Sequence, residues 1–144
     1  MKYRELVGQA IADAMRRDDT IICLGAGVAD PKHIFGTLAP AYTFANTCVL
    51  ETPLSENMIT GACVGLVLEG YRPLLTHARC DFLMLTMEQV VNTMAKWPYM
   101  SKGRNLPIVI RAIIGKGWGQ GPQHSQALQA MFSHVPGLNV YMPY

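Results

Sequence analysis

Residues 48–77 read CVLETPLSENMITGACVGLVLEGYRPLLTH, and this stretch is the strongest indication of the fold class of the chain. The short apolar runs Cys48 to Glu51 and Pro73 to His77 are typical of strands buried in a parallel sheet. Between them, the segment Ser55 to Glu69 has apolar residues on almost every side of a predicted helix, which indicates that the helix is buried. A strand, a helix and a strand of these lengths predict a right-handed crossover between two parallel strands.

The same alternation extends in both directions along the chain. It begins with a predicted helix from Tyr3 to Arg17 and a strand from Thr20 to Leu24. The apolar face of this helix consists of Leu6, Ala10, Ile11, Ala14 and Met15. After residue 77 we expect a helix that stops at Pro98, a strand, a glycine-rich loop, a helix and a strand, at Leu83–Lys96, Ile108–Ile113, Gly115–Gly121, Gln123–Ser133 and Leu138–Met142.

These elements predict one domain of the α/β class over residues 1–144. Strands separated by helices of this size form a doubly wound, mostly parallel sheet with helices on both faces, in three layers. The chain has 144 residues, of which 50% are hydrophobic and 15% are charged, so it can bury a proper core. Glycine-rich loops that leave strand ends are where such sheets bind ligands.

Composition excludes several classes of partner. The net charge of +2 is small and no basic block with interleaved aromatics occurs, so we expect no nucleic-acid partner. Glu69, Arg72 and Arg79 interrupt the apolar stretches before any reaches the length of a membrane span. No apolar signal core follows the start of the chain, so we expect a cytoplasmic protein without a membrane partner.

The cysteines and histidines show no metal-binding pattern. The cysteines have no Cys-x-x-Cys spacing and stand at Cys23, Cys48, Cys63 and Cys80. The histidines have no ligand spacing either and stand at His33, His77, His124 and His134. We therefore expect no metal site and no disulfide, and interpret the cysteines as small buried hydrophobic residues in a reducing compartment.

Two local features are candidates for a functional site. Glu56 lies in the first turn of the predicted helix, where the helix N-terminus favours a negative charge, although acidic residues are common there. The glycine-rich loop Gly115–Gly121 contains Lys116, but Gly117 follows it, so the loop matches neither the Walker pattern nor the dinucleotide fingerprint. Such a loop permits close approach to a neighbouring chain or a cofactor.

Several motifs occur together in an order that is specific to one protein family. They are Asp81-Phe82, Glu88-Gln-Val-Val-Asn92, Ala95-Lys-Trp97, Tyr99-Met-Ser101, Pro107-Ile-Val-Ile-Arg111, Gly117-Trp-Gly-Gln-Gly-Pro-Gln-His-Ser-Gln126 and His134-Val-Pro-Gly-Leu138. With these motifs the chain resembles the beta subunit of the thiamine-diphosphate-dependent 2-oxoacid dehydrogenases, the decarboxylating component of the pyruvate, branched-chain and acetoin dehydrogenase complexes. The resemblance covers nearly the whole chain and is weakest between Gly25 and Cys48.

The resemblance implies roles for individual residues. Glu56 matches the carboxylate that bonds the pyrimidine ring of thiamine diphosphate and promotes the tautomer in which the cofactor's own amino nitrogen acts as a base. Phe82 matches the aromatic residue that stacks on this ring, and His124 matches a catalytic residue that faces the substrate and guides acyl transfer. His134 also matches a family position, but we interpret it as structural because it lies at a helix end.

The resemblance also implies that the enzyme is a heteromer. The diphosphate of the cofactor and its Mg²⁺ would be held by an alpha-type subunit, because this sequence has no Gly-Asp-Gly motif and no clustered carboxylates. Family members form heterotetramers and pass the acyl group to an acceptor such as a lipoyl domain or a carrier protein. Family beta subunits continue into a carboxy-terminal domain that does not follow Tyr144 in this sequence, so we expect either a fragment or a split or minimal subunit.

Two alternatives remain open at this stage. The first is the corresponding subunit of a split transketolase-type enzyme, whose sugar-phosphate substrate would need clustered basic residues. The second is a non-catalytic assembly scaffold, against which the presence of Glu56 argues. The stretch Thr76–Cys80 departs from the family pattern, in which many members have an acidic residue followed by apolar ones. This departure bears on the pocket wall and on the substrate that it selects.

Overall fold

The computed structural model of the protein describes residues 1–44, 48–115 and 117–143. Lys116, the lysine of the glycine-rich loop discussed above, lies outside the described residues. In chain order the elements are α1 (Tyr3–Arg17), β1 (Ile21–Gly25), the single turn α2 (His33–Gly36), a 3-10 segment (Ala39–Phe44), β2 (Val49–Glu51), α3 (Glu56–Leu68), β3 (Arg72–His77), a 3-10 segment (Cys80–Thr86), a π-helical segment (Glu88–Met94), α4 (Trp97–Met100), β4 (Val109–Ala112), a 3-10 turn (Pro122–His124) and α5 (Gln129–Ser133).

The strands form one sheet in the order β2-β1-β3-β4, and every neighbouring pair is parallel. Cys23 lies between Val49 of β2 and Leu74 of β3, and Leu74 is in turn opposite Val109 of β4. β4 is an edge strand, which is consistent with the exposure of Val109. The predicted parallel α/β sheet is confirmed.

Helices cover both faces of this sheet because successive strand residues point to opposite sides. Cys23 of β1 belongs to one apolar cluster with Met15 of α1. Its neighbours Ile22 and Leu24 belong to a second cluster with Cys63 of α3. The structure therefore has the predicted three layers, with α1 and α3 on opposite faces.

The buried face of α1 differs from the predicted one. Leu6 is 52% exposed and Ala10 is also exposed, whereas Gly8 and Ala12 are buried together with the correctly predicted Met15. The reason is a close contact at Gly8, where a Cβ atom would lie 2.6 Å from Cδ of Pro40. Because Gly8 has no side chain, the 3-10 segment Ala39–Phe44 packs directly on this side of α1. The buried side of the helix is therefore the one that carries Gly8 and Ala12, and part of the predicted apolar face is exposed.

The prediction that α3 is buried on almost every side was wrong for the described chain. Thr60, Cys63 and Val64 are buried, but Met58 is 54% exposed and Leu68 is 57% exposed. α3 therefore packs one face on the sheet and leaves an apolar face uncovered.

The predicted helix Leu83–Lys96 was wrong in form. The chain instead follows the 3-10 segment Cys80–Thr86 and then a π-helical segment, Glu88–Met94. Pro98 does not stop this segment, because it lies in the first turn of the separate helix α4, where its missing N–H is not needed.

The predicted helix Gln123–Ser133 is also broken. A 3-10 turn occupies Pro122–His124, and α5 begins only at Gln129. The backbone N–H of Gln126 donates to the Asp81 carboxylate instead of to a carbonyl of a preceding helical turn, so a continuous helix cannot form.

The predicted strand Leu138–Met142 does not form in the described part of the chain. Tyr141 is 82% exposed and Met142 is 51% exposed, which is inconsistent with a buried central strand. No sheet hydrogen bonds between this segment and the exposed edge strand β4 are found in the described residues, so β4 remains the edge of the sheet.

Candidate functional site

The strand order creates a cleft between the carboxyl ends of β1 and β3. From β1 the chain moves to β2 on one side, and from β3 it moves to β4 on the other, so the connections diverge at this point. In parallel α/β sheets ligands bind in the crevice at such a switch point. A cavity of about 70 Å³ opens there, lined by Gly25, Ala26, Thr52, Pro53, Leu54, Glu56, Ile59, Leu75, Thr76, His77, Ala78 and Phe82.

Close contact between two strand ends shapes the floor of this cavity. Gly25 ends β1 with φ at +151°, and a Cβ atom there would lie 2.1 Å from the backbone oxygen of Thr76. Only glycine has no Cβ atom to clash at this distance. Gly25 therefore allows β1 and β3 to meet directly beneath the cavity.

Glu56 is the first residue of α3 and lines the cavity. It is half-buried, and the helix N-terminus directs unpaired backbone N–H groups and a partial positive charge towards this end. Its own backbone oxygen accepts a hydrogen bond from Thr60 Oγ1 at 2.6 Å, which stabilises the first turn. The carboxylate of Glu56 is thus presented on a rigid element at the cavity wall.

Phe82 lines the same cavity from the 3-10 segment after β3. The ring of His124 packs against it, with 5.7 Å between the ring centroids and 87° between the ring planes. His124 does not itself line the cavity, and it reaches the site through this contact. The structure therefore brings Glu56, Phe82 and His124 into one neighbourhood, whereas the exposed His134 caps α5 outside the cavity lining.

The size of the cavity limits what it can hold. Pockets for whole drug-sized ligands measure roughly 300 to 1,000 Å³, well above the volume observed here. The Glu56 carboxylate and the His77 imidazole lie among lining residues that are mostly apolar or aromatic. This combination suits a single flat ring that carries polar atoms at its edge.

His77 was missed as a site residue by the sequence analysis. It ends β3, lines the cavity and is only 7% exposed. Its Nε2 atom is buried and has no hydrogen-bond partner among the described residues. Burial lowers the pKa of His77, and the negative charge of Glu56 opposes this shift only in part. The imidazole is therefore neutral at neutral pH.

Arg79 was also not predicted as a site residue. Its side chain contacts the glycine-rich loop and holds it at the edge of the site. Its guanidinium Cζ lies 4.1 Å from the ring centroid of Trp118 and 4.5 Å from that of Phe35. Nε and Nη2 donate to Gln120 Oε1 at 3.2 and 2.5 Å, and Nη1 donates to the backbone oxygen of Ala78 at 2.8 Å. Burial lowers the pKa of Arg79, and Asp81 opposes the shift.

Asp81 holds the segment that carries His124. Its Oδ1 atom accepts hydrogen bonds from the Gln126 backbone N–H at 3.2 Å and from Gln126 Nε2 at 2.8 Å. Ser125 Oγ donates to the backbone oxygen of Gly121 at 2.9 Å, which closes the preceding turn. Asp81 and Phe82 are consecutive, so one short segment fixes both the ring of Phe82 and the position of His124.

Glu51 fixes the loop that follows β1. Its carboxylate oxygens accept hydrogen bonds from the backbone N–H groups of Gly27 and Ala29, each at 2.6 Å. The loop carries Ala26, which lines the cavity. An acidic residue at the end of a predicted strand was the available sequence signal for this contact.

No cluster of three or more His, Cys, Asp or Glu side chains suitable for a metal ion exists among the described residues. Within the same residues, no helix has the length and apolar character needed to cross a membrane. The cysteines Cys23, Cys48, Cys63 and Cys80 are all free thiols.

Comparison with known proteins identifies the family. Residues 1–144 match the pattern described as the pyrimidine-binding domain of transketolase. The chain belongs to this domain family. The resemblance that the sequence motifs indicated is therefore confirmed.

Three similar proteins are beta subunits of 2-oxoacid and acetoin enzymes. The chain is 36% identical to the beta subunit of acetoin:2,6-dichlorophenolindophenol oxidoreductase of Cupriavidus necator, over 95% of this chain and 44% of that protein. It is 35% identical to the beta subunit of the pyruvate dehydrogenase E1 component of Rhizobium meliloti, over 100% of this chain and 32% of that protein. It is 34% identical to the beta subunit of 2-oxoisovalerate dehydrogenase of Bacillus subtilis, over 99% of this chain and 44% of that protein.

A solved structure agrees with the fold. A chain described as "Split gene transketolase, inactive beta4 tetramer" superposes with a TM-score of 0.67 at 21% sequence identity, over 92% of this chain and 39% of that chain. At this identity the likeness shows the shared fold alone. The chain spans less than half the length of each of these relatives.

Proposed function

We propose that this chain is the pyrimidine-binding part of a thiamine-diphosphate-dependent enzyme that decarboxylates a 2-oxoacid and transfers the resulting acyl group. The observation that carries the proposal is the meeting of Glu56 and Phe82 in one cavity at the switch point of the sheet. The beta subunits of pyruvate and 2-oxoisovalerate dehydrogenases among the similar proteins support the choice of 2-oxoacid chemistry.

The residues present fit the pyrimidine end of the cofactor. The cavity of about 70 Å³ is of a size for one ring and combines a carboxylate, an aromatic side chain and the unpartnered Nε2 of His77. When bound, thiamine diphosphate supplies the carbon nucleophile that attacks the 2-oxoacid. The chain supplies the contacts that bind and orient the ring.

Each residue of the site has a distinct task in this proposal. Glu56 shares a proton with a ring nitrogen, and its charge-assisted hydrogen bond contributes on the order of 1.5 to 3 kcal/mol in a desolvated site. Phe82 stacks on the ring, which contributes about 0.5 to 1.5 kcal/mol beyond the buried area. His124, held by its contact with Phe82, faces the substrate and assists acyl transfer.

The diphosphate end of the cofactor requires a second chain. The described residues contain no metal-binding cluster, and Mg²⁺ needs oxygen ligands to hold a diphosphate. We propose that an alpha-type subunit supplies this half of the site, with Mg²⁺, in a heterotetramer. The acyl acceptor would be a lipoyl domain or a carrier protein.

The alternative of a split transketolase-type enzyme receives less support. A sugar-phosphate substrate needs basic residues near the reaction site, and none of the described residues that line the cavity is Lys or Arg. Arg72 begins β3 at the opposite end of the strand from His77 and pairs with Asp18 at 3.2 Å. The alternative of a non-catalytic scaffold would leave the carboxylate of Glu56 in the cavity without a task.

Substitution of Glu56 by Gln tests the proposal. The side-chain volume is preserved, but the amide cannot exchange the proton, so we expect turnover of the enzyme assembled with its partner to be abolished. Glu69→Gln is the matched control, because Glu69 is exposed at the other end of α3. Circular dichroism should show that both variants fold. Activity of Glu56→Gln within about tenfold of the wild type, or roughly 1.4 kcal/mol in barrier, would exclude Glu56 as the catalytic carboxylate.

A further inference from the structure

His77 occupies a position where the strand pattern predicts an apolar side chain. In β3, Leu75 and His77 point to the same face of the sheet because side chains alternate along a strand. Leu75 belongs to the apolar cluster on the α3 side, together with Cys63. An imidazole is an exception among these apolar side chains. His77 is the last residue of β3, at the end of the strand that borders the cavity.

One nitrogen of this buried imidazole lacks a hydrogen-bond partner among the described residues. Nε2 of His77 is removed from solvent and has no hydrogen-bond partner in the described part of the chain. Buried polar groups in proteins are almost always paired, because loss of hydration without a new hydrogen bond costs free energy. The missing partner is therefore expected from outside the described chain, and the cavity is the space that His77 adjoins.

The charge state of His77 limits what that partner can be. The imidazole is neutral at neutral pH, since burial lowers its pKa more than the nearby Glu56 raises it. A neutral imidazole donates one hydrogen bond and accepts one. It therefore complements an uncharged ring nitrogen or amino group better than it complements a phosphate or a carboxylate.

We propose that His77 is a second polar anchor of the cavity, which hydrogen-bonds through Nε2 to a nitrogen-containing heteroaromatic ring held against Glu56. The inference rests on the proposed function and extends it to a residue that was not among the predicted site residues. Two polar anchors, on α3 and β3, fix the orientation of a ring that Phe82 alone would allow to rotate in its plane.

Nuclear magnetic resonance on the ¹⁵N-labelled 144-residue chain tests this inference with 4-amino-2-methylpyrimidine as the probe. The method detects millimolar binding, and needs no partner, no metal and no turnover. We expect the Nε2 resonance of His77 to shift on titration and to saturate together with the backbone amides around Glu56. His77→Phe should weaken binding of the probe roughly threefold to tenfold, the value of one neutral hydrogen bond.

Two further variants complete the comparison. His77→Gln retains a donor and an acceptor near the position of Nε2 and should recover part of the affinity. His134→Phe makes the same replacement at an exposed histidine outside the cavity lining and should bind the probe as the wild type does. Thermal unfolding of each variant identifies any that fails to fold. If His77→Phe does not fold, the Nε2 resonance of the wild type decides the question.

The outcomes separate the inference from the proposed function. A probe that shifts the amides around Glu56 but leaves Nε2 of His77 unmoved, with equal affinity for His77→Phe, would overturn the inference and leave the proposed function intact. A wild-type chain that binds no probe at all would overturn the inference, whereas the proposed function is tested separately by Glu56→Gln in the assembled enzyme.

Discussion

The ring of His124 meets the ring of Phe82 edge-on, with 5.7 Å between their centroids. His124 ends the 3-10 turn Pro122–His124, and Phe82 lies in the segment that follows β3. The contact therefore links a residue that faces the proposed substrate to a residue that faces the proposed cofactor ring. Changes to the two side chains should affect different steps of the reaction.

We expect His124→Ala to slow acyl transfer more than it weakens cofactor binding, because His124 does not line the cavity. Single-turnover rates and cofactor affinity of the assembled enzyme separate these effects. His134→Ala is the control, since His134 is exposed at the end of α5. A large fall in cofactor affinity with an unchanged transfer rate would assign His124 to cofactor binding instead.

Replacement of Phe82 by Leu should have the opposite effect. The leucine retains an apolar contact but removes the ring, so the cofactor affinity of the assembled enzyme should fall by about twofold to tenfold, the value of one aromatic stack. Tyr141→Leu removes an aromatic ring that is 82% exposed and should leave the affinity unchanged. An unaltered affinity of the Phe82 variant would exclude a stacking role.

Replacement of Arg79 by Met should release the glycine-rich loop. Arg79 is 3% exposed, and its guanidinium joins Trp118 and Gln120 of the loop to the segment that follows β3. Global stability should change little, because an apolar side chain of similar length can replace a buried charge at small cost. The local effect should be large: in a Trp97→Phe background, emission from Trp118 should shift to longer wavelength, and limited proteolysis should cut within residues 117–121.

Arg72→Met is the control for this experiment. Arg72 pairs with Asp18 at an exposed position, so its loss should alter neither Trp118 emission nor cleavage. If the Arg79 variant has the emission and protease resistance of the wild type, then Arg79 does not hold the loop.

The buried thiols Cys23 and Cys63 should make the protein sensitive to alkaline pH. Burial raises the pKa of Cys23 from 9.0 to about 11 and that of Cys63 from 9.0 to about 12. Above pH 9 the unfolded chain loses these protons while the folded chain keeps them, so stability falls as pH rises. Between pH 8 and pH 10 each thiol should reduce the free energy of unfolding by about 1.4 kcal/mol.

Urea unfolding at the two pH values measures this effect. The double variant Cys23→Ala, Cys63→Ala is the reference, because it removes both buried thiols and leaves the other side chains unchanged. The wild type should lose more stability than the double variant on going to alkaline pH. An equal loss in both would show that the thiols do not contribute.

The regular elements of the fold could be predicted from the sequence because their patterns are local. The strands β1 to β4 and helices α1 and α3 were predicted to within one residue at each end. Their apolar periodicity and their flanking polar residues belong to the elements themselves, so no knowledge of distant contacts was needed.

The segments around the site could not be predicted in this way because distant contacts determine them. The hydrogen bond from the Gln126 backbone N–H to Asp81 joins residues far apart in the chain and breaks the expected helix. The rotation of α1 depends on the contact between Gly8 and Pro40. Propensity and periodicity contain no information about either contact.

The site residues fall into the same two groups, those that sequence motifs predict and those that only the folded structure reveals. Glu56, Phe82 and His124 were predicted because they fall in motifs whose spacing resembles a known family. His77 and Arg79 lie in the stretch that departs from the family pattern. A polar residue there indicates the end of a strand and not a site residue. Only the cavity and the aromatic contacts of the guanidinium reveal what these two residues touch.

We propose that this chain contributes the pyrimidine half of a cofactor site that is shared with a partner. Even at their upper values, the contacts available from Glu56 and Phe82 amount to about 4.5 kcal/mol before the cost of immobilising the ligand, which corresponds to roughly millimolar affinity at best. Titration calorimetry with thiamine diphosphate and Mg²⁺ tests the claim, first on the isolated chain and then on the chain mixed with its alpha-type partner. We predict no measurable binding by the isolated chain and micromolar or tighter binding by the mixture, weakened by Glu56→Gln in this chain. Micromolar binding by the isolated chain would contradict the shared site.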